Sequence, residues 1–203
     1  MKKRRNQDKE KRQDILLAAE SVFAERGFKG TTVREVAQRA GIHNSLIFYY
    51  FKNKSVLYEA VFESLFEQME DLVQYSMNLD MDRLGIMKEI VFGVIDFLAT
   101  HRNLTTILVR ELMDNGPVAR KTSQEYFRPV YHTVAEFLAD GSREAIFRNV
   151  DPVHFVQSTV AVVVFYFINE PFIRAMGLKN PYGSREIEKR KNEVWRQIRS
   201  VLT

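Results

Sequence analysis

The stretch that decides the fold is TTVREVAQRAGIHNSLIFYYFKNK, residues 31–54. Thr31 or Thr32 is suited to cap the first turn of a helix, and Glu35 follows Thr32 at the capping-box spacing. Gly41 comes where a chain that turns sharply between two helices needs a positive φ. The stretch therefore predicts a helix-turn-helix, two short helices joined by a tight turn.

The second of these helices is expected over about residues 44–50 and contains most of an apolar and aromatic run that ends at Phe51. At about 100° per residue, Ile47, Tyr50 and Phe51 fall on one side of the helix, which predicts its buried face. The other directions are taken by Asn44, Ser45, Phe48 and Tyr49. Such an outward face has groups that can bind base edges and phosphates of DNA.

A longer helix is predicted just before this motif, from Asp14 to the Glu-Arg-Gly sequence that ends at Gly27. Its apolar residues recur at the i, i+3, i+4, i+7 spacing of one buried helix face. These residues are Ile15, Leu16, Ala18, Ala19, Val22 and Phe23. Gly27 is suited to the left-handed conformation that ends many helices. Three helices are thus expected in one small N-terminal head.

Composition restricts the class of protein. With 203 residues, 45% apolar and 28% charged, the chain is ordinary globular in composition and long enough for a core of its own. It has no cysteine, which excludes disulfides and thiolate metal sites and favours a reducing compartment. The longest apolar run, residues 160–168, is well short of the about 20 residues that span a bilayer, and the basic N-terminus leads into no signal-peptide segment. We therefore expect a soluble, cytoplasmic protein.

Charge is distributed unevenly along the chain. Residues 1–54 carry 13 Lys and Arg against 6 Asp and Glu, a net +7, whereas residues 55–203 carry 17 against 20, a net −3. A basic head on a nearly neutral body is typical of a protein that binds a polyanion with its head. Four of the positive charges, Lys2 to Arg5, are equally explained as a solvated tail.

Residues 15–61 resemble the DNA-binding head of the TetR family of transcriptional regulators. The resemblance is carried by ILLAAESVFAERGF, residues 15–28, and by TTVREVAQRAGIHNSLIFYYFKNKSVLYEAV, residues 31–61. It implies that the helix-turn-helix binds double-stranded DNA. The residues expected at the DNA are Thr31, Thr32, Arg34, His43, Asn44, Ser45, Leu46, Phe48, Tyr49 and Lys54.

Three positions depart from the usual family pattern. His43 lies where Ser or Thr commonly caps the recognition helix, Phe48 where a tyrosine is usual, and Leu46 at a position that is usually small or polar. Histidine is a weaker cap, phenylalanine lacks a hydroxyl for phosphate, and leucine is suited to a thymine methyl group. DNA binding is still expected, but an operator sequence cannot be borrowed from relatives.

A long helix is predicted next, from Lys54 to about Val73, with Asn53 placed to cap it. Lys54 lies in its first turn, where the helix dipole and the amine together favour a phosphate. We predict a DNA-binding domain over residues 1–53 and a helical effector-binding and dimerisation domain over residues 54–203.

The body is predicted to be helical too, which makes the protein all-α with about nine helices. Its further helices are expected at about residues 82–100, 104–114, 117–138, 152–169 and 184–202, with turn sequences at residues 115–117, 140–141, 151–152 and 180–184. The valine-rich residues 160–168 suit a buried strand equally well. Because no partner strand is present, we predict a helix that is buried on nearly all sides.

The resemblance also implies a ligand pocket in this body. The residues expected at the pocket are Phe62, Phe66, Phe92, Arg110, Tyr126, Tyr131 and Phe165. Their composition predicts a largely apolar or aromatic ligand. Each aromatic residue is also explained as part of an ordinary core.

A homodimer is implied as well, formed by the last two long helices of each copy as a four-helix bundle. The residues expected at this interface are Val160, Val164, Ile187, Val194, Trp195, Ile198 and Val201. The stripe on the last helix is also explained if it covers the chain's own core. A dimer that reads both halves of an inverted repeat would give so small a head enough DNA contact for specific binding.

Other classes of function find little support. The four histidines are widely separated, and no HExxH, GxSxG or phosphate-binding glycine loop occurs, so no catalytic, metal or cofactor site is predicted. The favoured function is a repressor released from a palindromic operator by a small, largely apolar ligand. The alternative is a TetR-like structural or division-control DNA-binding protein that acts through protein partners without a ligand. The basic N-terminus has no apolar face for a membrane.

Overall fold

The structure, a computed structural model, describes residues 2–114, 118 and 121–203. Within those residues it contains ten α-helices and no β-strand, which confirms the predicted all-α class. The helices are α1 (Lys2–Gly30), α2 (Val33–Ala40), α3 (Asn44–Tyr50), α4 (Lys54–Met77), α5 (Arg83–Thr100), α6 (Arg102–Met113), α7 (Arg128–Arg143), α8 (Pro152–Ile168), α9 (Glu170–Ala175) and α10 (Ser184–Leu202). A π-helical segment, Thr122–Phe127, leads into α7. None of these helices is long and apolar enough to cross a bilayer.

The helix-turn-helix forms as its sequence predicts. Thr32 caps α2: its hydroxyl oxygen accepts a hydrogen bond from the Glu35 backbone N–H at 3.3 Å, and the Glu35 carboxylate accepts one from the Thr32 backbone N–H at 2.9 Å. Gly41 ends α2 with a φ of 66°, in the left-handed region. α3 then packs against α2 over the expected residues. Local signals therefore account for the motif.

α1 is longer than predicted. The apolar periodicity predicts a start at Asp14, but the helix begins at Lys2. Its added turns contain no apolar residue between Lys2 and Asp14, so a pattern based on a buried face could not reveal them. At the other end, Gly27 has a φ of 69°, which interrupts the helix at the predicted residue before a last turn to Gly30.

α7 differs most from its prediction. Its predicted start at residue 117 lies outside the described residues, and it continues to Arg143 instead of ending at residue 138. The Asp-Gly pair at residues 140–141, predicted as a turn, therefore lies inside the helix. The ring of Phe147 packs so closely against Gly141 that a Cβ at this position would overlap it. The glycine serves close packing here and does not mark a turn.

α8 confirms the predicted helix over residues 160–168, but within a single chain this helix is not buried on nearly all sides. The buried residues of α8 are Phe155, Val163 and Phe167. In contrast, Val160, Phe165 and Ile168 are 37%, 59% and 38% exposed. One face of this apolar helix packs on the chain's own core, while another face is open.

Packing divides the chain into two compact units. The first comprises residues 1–66 and 106–122, and the second comprises residues 67–105 and 123–203. The first unit is larger than the predicted domain 1–53 because α4 and α6 each contribute buried residues to it, such as Leu57 and Ile107. The predicted division by function at residue 53 stays a prediction.

The second unit accounts for part of the stripe predicted as a dimer interface. Ile187, Val194 and Ile198 are 6%, 0% and 6% exposed, and α10 packs on α5. Because these three side chains already fill the chain's own core, they are not available to a second copy, and the prediction is wrong for them. Val201 is 50% exposed and Trp195 is half-buried, so both remain accessible.

Candidate DNA-binding surface

The first turn of α3 is held by His43. The backbone of His43 is extended, and its ring Nδ1 accepts a hydrogen bond from the Ser45 backbone N–H at 3.4 Å. The same nitrogen lies 3.0 Å from Ser45 Oγ. A ring nitrogen with a free lone pair can accept a backbone N–H in this way. The histidine thus does cap the helix, although its residue type predicts a weak cap.

The inner face of α3 is the one predicted. Ile47 and Phe51 are 1% and 2% exposed, and Tyr50 is half-buried. The Tyr50 hydroxyl donates to Asp8 Oδ1 at 3.4 Å. Partial burial, and then the neighbouring Asp8 carboxylate, raise the pKa of Tyr50. The contact with Asp8 lies 42 positions away in sequence, so no local pattern could have predicted it.

The outer face of α3, defined here as Asn44, Ser45, Leu46, Phe48 and Tyr49, carries mixed polar and aromatic side chains. Phe48 and Tyr49 are 54% and 75% exposed, and Ser45 is also exposed. Asn44 and Leu46 are half-buried. The Tyr49 ring meets the Tyr50 ring edge-on with 5.0 Å between centroids, which links the outer face to the inner one. The structure therefore brings five of the predicted DNA-binding residues together on one exposed helix.

Thr31 does not belong to this surface. Its side chain is buried at 2% exposure, and its hydroxyl donates to the carbonyl oxygens of Gly27 at 2.8 Å and Val22 at 3.4 Å. The predicted DNA contact through this side chain is therefore wrong, because the hydroxyl satisfies the end of α1. Thr32 is exposed, but its hydroxyl donates to the Glu35 carboxylate at 2.8 Å as part of the cap.

Two arginines of α2 differ in their availability. Arg39 holds the Glu25 carboxylate with two contacts of 2.8 Å, and its hydrogen bond lowers the pKa of Glu25. Arg34 is exposed and makes no ion pair or hydrogen bond with any residue in the described part of the chain. Arg34 is therefore the arginine of α2 whose charge is available to DNA, and its DNA contact stays a prediction.

Lys54 has an internal role that its sequence did not reveal. Its Nζ donates to the carbonyl oxygens of Phe28 at 2.8 Å and Thr31 at 3.0 Å, and lies 4.4 Å from the centroid of the Phe28 ring. An ammonium group has three N–H donors, so one remains for a phosphate. The phosphate contact stays a prediction, now for a lysine that also joins the start of α4 to the end of α1.

The predicted pocket residues fall in both units. Phe62 and Phe66 are buried in the first unit, where their rings stack at 6.3 Å, and Arg110 donates to the carbonyl oxygen of Ala24 at 2.6 Å. Those in the second unit are Phe92, Tyr126, Tyr131 and Phe165. Phe92, Tyr126 and Tyr131 are half-buried there, whereas Phe165 is largely exposed. The structure therefore does not join the seven residues in one unit, and their ligand contact stays a prediction.

A cavity of about 410 Å³ in the second unit has a different lining. Its residues come from α8, α10 and the segment before α8. Val201 and His154 contribute to its wall, as do the polar side chains of Ser158 and Gln197. None of the predicted pocket residues lines it, so the cavity does not test the ligand prediction.

The head and its exposed helix define the class of protein. A capped helix, a glycine turn and a second helix with an outward polar and aromatic face form the helix-turn-helix of a DNA-binding protein. Residues 15–61 match the family described as bacterial regulatory proteins, tetR family, and residues 85–198 match the tetracyclin repressor-like C-terminal domain. The chain belongs to the TetR family and is a DNA-binding transcriptional regulator.

Relatives extend over most of the chain. It is 23% identical over 196 residues to the probable HTH-type transcriptional regulator YttP of Bacillus subtilis, with 93% of this chain and 92% of that protein covered. It is 32% identical over 112 residues to the HTH-type transcriptional regulator TtgR of Pseudomonas putida, over 53% of each. The solved structure of the fatty acid degradation regulator FadR from Bacillus halodurans matches with a TM-score of 0.76 and 21% identity, over 93% of this chain and 94% of that one. This last likeness shows the shared fold.

Proposed function

We propose that this regulator is a repressor that binds an inverted-repeat operator as a homodimer and leaves it when a small, largely apolar ligand binds. The observation that supports sequence-specific DNA binding most directly is the outer face of α3. Its amide, hydroxyl and aromatic groups lie on a helix that Ile47 and Phe51 fix from behind. A helix fits the major groove, where each base pair presents a distinct pattern of donors and acceptors.

Each residue type on this surface suits a different part of DNA. Asn44 and Ser45 have the amide and hydroxyl groups that bind base edges, and Leu46 is suited to a thymine methyl group. We assign Tyr49 to a phosphate, with its ring against the sugar edge. Arg34 and the third N–H of Lys54 supply positive charge for phosphates on either side, which position the helix.

Selection of bound sequences from random duplexes tests the DNA proposal. The expected product is an inverted repeat whose half-sites lie about one helical turn or a multiple of it apart. Asn44→Ala should then weaken operator binding by about 1–3 kcal/mol if a bidentate adenine contact is lost, and weaken random DNA less. Asn149→Ala is the matched control, because Asn149 is an exposed asparagine of the second unit. Equal losses for operator and random DNA would contradict base reading by Asn44.

The proposal of a homodimer is supported by the open face of α8. Val160 and Phe165 are exposed and Val164 is half-buried. Residues 152–168 contain no Asp, Glu, Lys or Arg. An exposed apolar helix face without charge is typical of a protein interface. A second copy of the chain would cover this face and supply the recognition helix for the second half-site.

Light scattering tests the dimer. Val160→Glu combined with Val164→Glu should give monomers that retain their helix content and bind the operator weakly. Leu17→Glu is the control, because Leu17 is an exposed apolar residue of α1 at 51% exposure. A double variant that stays dimeric would place the interface elsewhere.

The ligand proposal is supported by the family and by chain connectivity. α4 and α6 each contribute residues to both compact units, so two continuous helices connect the second unit to the first along the chain. Linkage requires that ligand and operator weaken each other's binding by the same factor, typically equivalent to about 1–3 kcal/mol. A panel of hydrophobic compounds should contain members that raise the melting temperature and weaken operator binding. Compounds that bind without changing operator affinity would favour the alternative, a DNA-binding protein that acts through protein partners.

A further inference from the structure

We propose that the first turns of α1, residues 2–12, form an N-terminal arm that binds phosphates beside the half-site read by α3. The proposal rests on the DNA binding proposed above and adds a second contact surface to it. The arm would act by charge and extend the bound DNA beyond the base pairs that α3 reads.

The composition of the arm suits a polyanion. Residues 2–12 contain seven Lys and Arg against Asp8 and Glu10, a net +5. This segment lies before residue 15, where the match to the family's DNA-binding head begins. The charge therefore lies outside the helix-turn-helix itself, which α2 and α3 form.

Two contacts join the arm to the recognition helix. Tyr50 donates to Asp8 Oδ1 at 3.4 Å, and Arg12 Cζ lies 5.3 Å from the centroid of the Phe51 ring. Tyr50 ends α3, and Phe51 caps it. The arm is thus attached to the C-terminal end of α3, which distinguishes it from a solvated tail without contacts.

The arm is long enough to pass more than one phosphate of a DNA strand. Six residues of helix separate Asp8 from Lys2, which corresponds to about 9 Å at the rise of an α-helix. Phosphates on one DNA strand are about 3.4 Å apart along the helix axis, so a helix of this length passes more than one of them. Lys9 and Lys11 are exposed and make no ion pair in the described ranges, which leaves both charges available.

The dependence of affinity on salt tests the arm. Two variants remove its charge while keeping a good helix former at each position: Lys9→Gln with Lys11→Gln, and a quadruple change of Lys2, Lys3, Arg4 and Arg5 to Gln. Each phosphate contact that is lost should reduce the slope of log K against log salt by about 0.9. We expect a reduction of at least this size per subunit for the quadruple variant, with an unchanged order of preference among operator sequences.

The control removes charge from the second unit. Lys179→Gln with Arg185→Gln changes two exposed residues there and should leave the slope unchanged. A second measurement needs no variant: wild-type protein should bind an operator with flanking base pairs more tightly than one trimmed to the half-sites, and the quadruple variant should lose this difference. Tyr50→Phe, which removes the hydrogen bond to Asp8, should reduce the difference without changing the selected sequence.

The outcomes separate the arm from the function on which it rests. Wild-type protein that binds no selected duplex would reject the proposed DNA reading, and the arm with it. A second outcome would overturn the arm alone. In that case the wild-type protein binds its operator, but the arm variants keep the wild-type salt dependence of log K and the wild-type dependence on flanking DNA. Arm variants that bind DNA like the wild-type protein but have lost affinity for phosphatidylglycerol vesicles would also overturn the proposed arm. The basic charge would then be assigned to binding a membrane surface.

Discussion

α3 and α8 both expose aromatic or aliphatic side chains, but the chemistry around those side chains differs. On α3, Phe48 and Tyr49 lie among amide and hydroxyl groups in a basic head. On α8, Val160 and Phe165 lie on a helix without a single charged residue. The first surface suits a charged, hydrogen-bonding partner, and the second suits another apolar surface. Exposure alone does not identify a partner, whereas the groups between the exposed residues indicate the chemistry of the partner that would fit.

The largest effect on stability is expected on the buried side of α10, in the second unit. Val194→Asp should lower the free energy of unfolding by more than about 3 kcal/mol, because it places an unpaired carboxylate where the side chain is fully buried. Val201→Asp, on the half-exposed side of the same helix, should change the free energy of unfolding by no more than about 0.5 kcal/mol. Chemical denaturation measures both. A folded Val194→Asp variant that had merely lost its dimer would show that α10 does not cover the chain's own core.

The inner and outer faces of α3 give the next largest effect. Phe51→Ala should lower the free energy of unfolding by about 3–5 kcal/mol, since it removes a buried aromatic ring. Phe48→Ala removes the same side chain from an exposed position and should change the free energy of unfolding by no more than about 0.5 kcal/mol. Melting curves, read beside operator affinity, separate the two roles. Loss of DNA affinity without loss of stability in Phe51→Ala would reverse our assignment of the faces.

The head could be predicted from sequence because its signals are local. Thr32, Glu35, Gly41 and Gly27 each act within a few residues of their position, and all four adopt the predicted cap or backbone conformation. The contacts of Lys54 and Tyr50 could not be predicted, because their partners are distant in sequence. Its charge and its place in the first turn of α4 suggested a phosphate for the lysine, whereas folding directs two of its three donors to carbonyl groups.

In the body, an apolar stripe on a helix predicts that these residues are buried, but it does not predict which surface packs against them. Ile187, Val194 and Ile198 form a stripe that suits either a second copy or the chain's own core, and packing on α5 decides for the core. Gly141 fails in another way: the Asp-Gly pair suggests a turn, but the ring of Phe147, which follows in the next loop, packs where a Cβ at residue 141 would lie. Sequence periodicity therefore predicts the helices of the body better than their partners.

A buried polar contact of the first unit predicts a dependence of stability on pH. Tyr58 and Glu111 are 2% and 3% exposed, and the tyrosine hydroxyl donates to Glu111 Oε2 at 2.9 Å. Burial, and then the Glu111 carboxylate, raise the pKa of Tyr58 above its ordinary value of 10.0. Below that pH the tyrosine is protonated in both states, so its contribution is complete. Above it the unfolded chain loses the proton first, and the contribution falls as pH rises.

Tyr58→Phe should lower the free energy of unfolding at neutral pH by about 1–3 kcal/mol, because a buried carboxylate loses a donor. The difference from wild type should shrink as pH rises above 10.0, the ordinary pKa of the tyrosine. Tyr75→Phe is the control, because Tyr75 is 70% exposed. Denaturation at several pH values from 7 to 11 provides the test, and a constant difference over this range would contradict a buried, protonated Tyr58.

The smallest effect on stability is expected for two arginines that share α2. Arg39→Gln removes an exposed ion pair with Glu25, and such pairs contribute little because water already solvates both charges. Arg34→Gln removes a charge without a partner among the described residues. If Arg34 meets a phosphate, its loss should reduce the slope of log K against log salt by about 1 per half-site, with similar losses on operator and random DNA. Arg39→Gln should leave that slope nearly unchanged, since Glu25 already neutralises its charge. Titrations at three salt concentrations compare the two variants. A larger change of slope for Arg39→Gln would show that the Arg39–Glu25 ion pair opens when DNA binds. The charges available in the free head would then differ from those that bind DNA.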